Sequence, residues 1–155
     1  MHEHIELIRS GELRNLCQTS AEDIVLDDGT TLPSIATILP ESRKILPVGA
    51  TYNFMVRRDL PPDVMQMLAD GFRAAAGSDA FKALMDQKFF QLDIKVGEEA
   101  DREGALMETV TVDIFNRFQD QIGAEVKTAE QLGLPTPDGF DDWWPPEGYK
   151  PPPIV

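Results

Sequence analysis

The sequence predicts an α/β fold, on three observations. A helix near the start carries Ile5 and Ile8 on one face, closes at Gly11 and runs into a period-two stretch. Thr51 to Arg57 alternates ahead of a strongly marked helix start, and Phe90 to Val96 alternates ahead of a long helix. Helical periodicity taking turns with period-two segments is the pattern of helices covering a sheet.

Each element has a local reason. Gly11 suits the left-handed position that ends a helix, and Leu13, Asn15, Cys17 and Thr19 then alternate with Arg14, Leu16 and Gln18. This first strand is short and half apolar, so it cannot centre a core. The helix has no strand before it, so the chain reads as one entered partway through a larger fold. Asp27-Asp28-Gly29 marks a turn, and Leu32 to Leu39, bounded by Pro33 and Pro40, reads as a short helix or a short strand. In the second strand Tyr52, Phe54 and Val56 share one face, with Asn53 and Met55 on the other.

Asp59-Leu60-Pro61-Pro62-Asp63 supplies a capping aspartate, prolines for the first turn and an acid at the positive end of the dipole. Val64, Met65, Leu68 and Phe72 form its apolar stripe, and Gly77 stops it. Ser78 caps a shorter helix with Phe81, Leu84 and Met85 on its inner face. In the third strand Phe90, Leu92, Ile94 and Val96 share a face, against Gln91, Asp93 and Lys95. The long helix, Glu98 to Phe118, aligns Met107, Val110, Ile114 and Phe118, and a short helix is expected at Ala129 to Leu132. Beyond Gly133 the chain is rich in proline and aromatics, including Trp143 and Trp144. These rings gain so much by burial that packing on the protein's own surface is favoured over a free polyproline docking arm.

Composition narrows the function. At 155 residues with 42% apolar content the chain can bury the core of one domain. A formal charge of −13, from 27 acidic and 14 basic residues, argues against nucleic acid or an anionic membrane as partner. The single cysteine, Cys17, excludes an internal disulfide and reads as an inert strand thiol. No run reaches the roughly 18 apolar residues of a membrane span. The start Met1-His2-Glu3-His4 lacks the features of a signal peptide. His2, Glu3, His4 and Glu6 resemble metal ligands on paper, but a chain terminus is a poor scaffold for a metal. The helical carboxylates Glu98, Glu99, Asp101, Glu103, Glu108 and Asp113 scatter around a solvated face, and Met65, Met67 and Met85 read as core. No nucleophile, base and orienter set stands out, so an enzyme is not expected; a small hydrolase using His2, His4 or Cys17 is the least favoured reading.

The order of these pieces resembles the C-terminal half of the tripartite tricarboxylate transporter receptor family, the Bug-type periplasmic solute-binding proteins. The family's helix–strand motif, roughly h-x-x-x-G-K-L-R-x-L-A-x-T-S, is similar to Leu7 to Ser20, with Gly11, Leu13, Arg14, Leu16, Thr19 and Ser20 matching. Its P-x-h-P-T-h-x-E loop is similar to the stretch holding Pro33, Ile35, Thr37 and Ile38. Here Ala36 replaces a proline, and Pro40 takes the place of the glutamate, with Glu41 one step later. A strand with P-x-x-h-x-x-x-L resembles Asn53 to Leu68, and the closing helix, strand and long helix resemble Asp79 to Phe118. The likeness spans Ile5 to Gly123, about three quarters of the chain.

This resemblance implies the C-terminal part of an incomplete two-lobed, periplasmic-binding-protein-like (Venus-flytrap) fold. Residues 1–48 would finish one lobe, 49–133 would return to the other, and 134–155 would form the proline and aromatic tail. It implies capture of a small organic carboxylate, delivery to membrane transporter subunits, no cofactor and no metal. The implied location is periplasmic, or cytoplasmic if Met1 is the true start. Thr19, Thr37, Tyr52 and Asn53 are the candidate ligand contacts; Ser20 and Glu41 border them. Each has a plain alternative: Thr19 and Ser20 as caps of the turn Ala21-Glu22-Asp23, Thr37 as a turn residue, Tyr52 as packing. A second functional expectation is a stand-alone half-receptor that self-associates through an exposed strand edge.

Overall fold

A computed structural model describes residues 4–49, 52–88, 90, 92–123 and 125–154. Helix α1 (Ile5–Arg9) is followed by a hairpin of β1 (Ile24–Val25) and β2 (Thr31–Leu32), then by α2 (Ile35–Ile38) and a 3-10 turn over Pro40–Ile45. Helices α3 (Pro62–Ala76), α4 (Asp79–Gln87) and α5 (Glu98–Arg117) follow. The short helices α6 (Gln119–Ile122), α7 (Ala129–Leu132) and α8 (Phe140–Trp143) close the order. Two units can be told apart: one holds residues 1–16, 51–100 and 150–155, the other 17–50 and 101–149.

The α/β expectation is overturned. The protein is mostly helical, 51% helix against 4% strand, and it is not an α/β periplasmic-binding-protein lobe. Among the described residues the single sheet is the antiparallel pair of β1 and β2, with Ile24 opposite Leu32 and Val25 opposite Thr31. The reason lies in pairing. Alternation can set the run of a backbone, but a strand exists only where a neighbour meets its N–H and C=O groups. In the first expected strand only Gln18 enters a ladder, through a single parallel bridge to Ser34. Residues 52–57 and 92–96 run without turn, bend or ladder, and Thr51 and Gln91 lie outside the described residues.

Helix signals written in local chemistry match the structure more closely. Gly11 takes φ +79° beyond α1, and the Leu13 N–H turns back to the Leu7 carbonyl at 2.9 Å. Ser78 caps α4 by accepting from the Phe81 N–H. At α3 the prolines stand in the first turn, but Asp59 does not cap; the flanking residue is Pro61, and Asp59 pairs with Arg57 instead. Asp28 accepts from the Thr30 N–H at 2.9 Å, which fixes the hairpin turn that Asp27-Asp28-Gly29 announces.

The buried faces are rotated from those expected. In the first unit the core residues are Ile5, Met65, Ala69 and Ala76, whereas Leu68 and Met67 on α3 are exposed. Met67 is therefore not core. The face of α4 stays open at Phe81 and Leu84. In the second unit Leu26, Leu32, Ala36, Leu46, Val110, Val112 and Phe140 are buried, while Ile114 and Phe118 of the expected α5 stripe are exposed. Phe140 is almost fully buried and forms one ring cluster with Trp143, Trp144 and Tyr149. The Arg102 guanidinium lies 5.3 Å from the Phe140 ring, and Tyr149 donates to Asp101 at 2.8 Å. Up to Tyr149 the aromatic tail thus packs on its own rings and on α5. Among the described residues no helix is long and apolar enough to cross a membrane.

Candidate functional site

Four candidate or neighbouring residues, Thr19, Ser20, Thr37 and Glu41, lie in the second unit, and a polar knot organises them. Its centre is Gln18, which is only 4% exposed. The Gln18 N–H donates to the Pro33 carbonyl, and its own carbonyl accepts from the Ile35 N–H, each at 2.8 Å. Its side-chain amide donates to the carbonyls of Glu22 (2.8 Å) and Leu32 (3.4 Å), and its Oε1 accepts from the Ser20 N–H. A polar residue is tolerated inside because each polar group has a partner.

Ser34 ties the knot to α2. Its Oγ donates to the Ser20 carbonyl at 2.6 Å and accepts from the Ala36 N–H at 3.1 Å, capping the helix. Its N–H donates to Asp23 Oδ1 at 2.7 Å, and the same oxygen accepts from the Thr37 hydroxyl at 2.9 Å. The Ser34 N–H first, and the Thr37 hydroxyl second, hold the Asp23 carboxyl below the usual carboxylate range; nearby Arg43 adds to this against a desolvation cost. Arg43 pairs with Glu22, whose hydrogen bond and charge raise the guanidinium further above its ordinary value.

This geometry shows what the threonines do. Thr19 donates to the Val48 carbonyl at 2.5 Å, and the Val48 N–H returns to the Thr19 carbonyl at 3.0 Å. Thr37 spends its proton on Asp23. A hydroxyl has one proton to give, so each of the two donates within the unit, while its oxygen can still accept. The surrounding charges, Glu22 and Asp23 with Arg43 already paired, do not favour a further carboxylate at this spot. Glu41 is exposed on the 3-10 turn. Tyr52 (84% exposed) and Asn53 belong to the first unit. The Tyr52 ring meets Phe90 edge to face, with centroids 5.9 Å apart.

Neither of two cavities among the described residues is a ready-made ligand chamber. Beside Val48 a crevice of about 50 Å³ is lined by residues including Ile45, Leu106, Met107, Val110 and Thr111. Sites for small molecules run to roughly 300–1,000 Å³ with converging polar groups. A wide recess of about 470 Å³ at Glu125, Lys127 and Gln131 offers one cation beside one acid. Gln131 is already occupied there, as the partner of Thr128 in a capping box.

The remaining candidates are dispersed. His4 precedes α1 as an exposed residue, while His2 and Glu3 lie outside the described residues. Among the described residues no three of His, Cys, Asp and Glu come together as a metal-binding group. Cys17 is half-buried as a free thiol. Sequence reasoning missed Gln18, Asp23 and Ser34 as the organising residues. Ser34 ahead of Ile35-Ala36-Thr37 was the legible signal, since a serine before a short apolar run marks a helix N-cap. No family model, curated protein or solved structure matches the chain.

Proposed function

We propose that the chain is the substrate-binding component of a tripartite tricarboxylate-type transporter, acting in the periplasm to capture a small organic carboxylate for its membrane subunits. The observation that supports this is the colinear order of the four motifs across Ile5 to Gly123.

In this reading the four candidate residues divide by role. Thr19 and Thr37 position their loops through Val48 and Asp23. Tyr52 and Asn53 are exposed, so their hydroxyl and amide protons are the donors a carboxylate could reach. Calorimetric titration with di- and tricarboxylates tests the reading. Binding that is weakened by Tyr52→Phe and Asn53→Ala supports it; the absence of heat across the whole ligand class would sink it.

A further inference from the structure

We draw no further inference here: the strongest candidate, the ring cluster of Phe140, Trp143, Trp144 and Tyr149 packed against α5 in the second unit, is engaged with its own Arg102 and Asp101, and nothing in the structure shows a ligand or partner it would take.

Discussion

Gln18 is polar and 4% exposed; Phe54 is apolar and 85% exposed. Both sit in stretches whose sequence alternates, and a hydropathy scale would exchange their places. Gln18 is inside because the Pro33, Leu32, Glu22, Ser20 and Ile35 backbone groups complete its hydrogen bonds. Phe54 is outside because, beyond an edge contact with Phe72, nothing described packs over it. Burial in this protein follows the availability of partners, and hydrophobicity without a partner leaves a side chain in water.

This contrast can be broken by mutation. The largest effect is expected at Phe140, an apolar side chain that has the neighbours Phe54 lacks. Phe140→Ala should cost about 3–5 kcal/mol in urea unfolding. A cost no greater than that of truncating Phe54 would remove the distinction. Next is Gln18→Ala, which removes the side-chain bonds to the Ser20 N–H and to the Glu22 and Leu32 carbonyls; about 1–3 kcal/mol of destabilisation is expected. A neutral result would mean that the knot closes equally well without its centre.

Acid titration sharpens the same comparison more gently. Asp23 is held below its unfolded value of about 3.9, so its contribution is present above that pH and is lost as pH falls through the lower folded value. Asp23→Asn should therefore flatten the decline of stability below about pH 4 and leave that slope unchanged at neutral pH. An unaltered acid limb would show that the bonds from Ser34 and Thr37 do not bias its ionisation. The smallest effect belongs to Phe54→Ala, expected within ~0.5 kcal/mol.

Helix ends were readable because their chemistry is local. Gly11, Pro61-Pro62, Gly77, Ser78 and Gly133 lie beside the ends they set, and Asp28 writes its own turn. Strand pairing was not readable, because whether residues 52–57 or 92–96 find a ladder depends on what lies across from them. The α3 face was misplaced for a related reason. The pattern favours large Leu68, while close approach favours small Ala69 and Ala76. At the candidate site, Thr19 and Thr37 carried polar chemistry that sequence could identify. Their partners, Val48 at 29 positions' distance and Asp23 at 14, are products of the fold.

Amide hydrogen exchange examines the partner rule residue by residue. The N–H groups of Gln18, Ile35 and Val48, each bonded to a distant carbonyl, should exchange slowly, while those of residues 53–56 should exchange at nearly the rate of an unstructured peptide. Protection across residues 53–56 equal to that of α3 would mean that these apolar residues already have a strand neighbour, and the rule would fail.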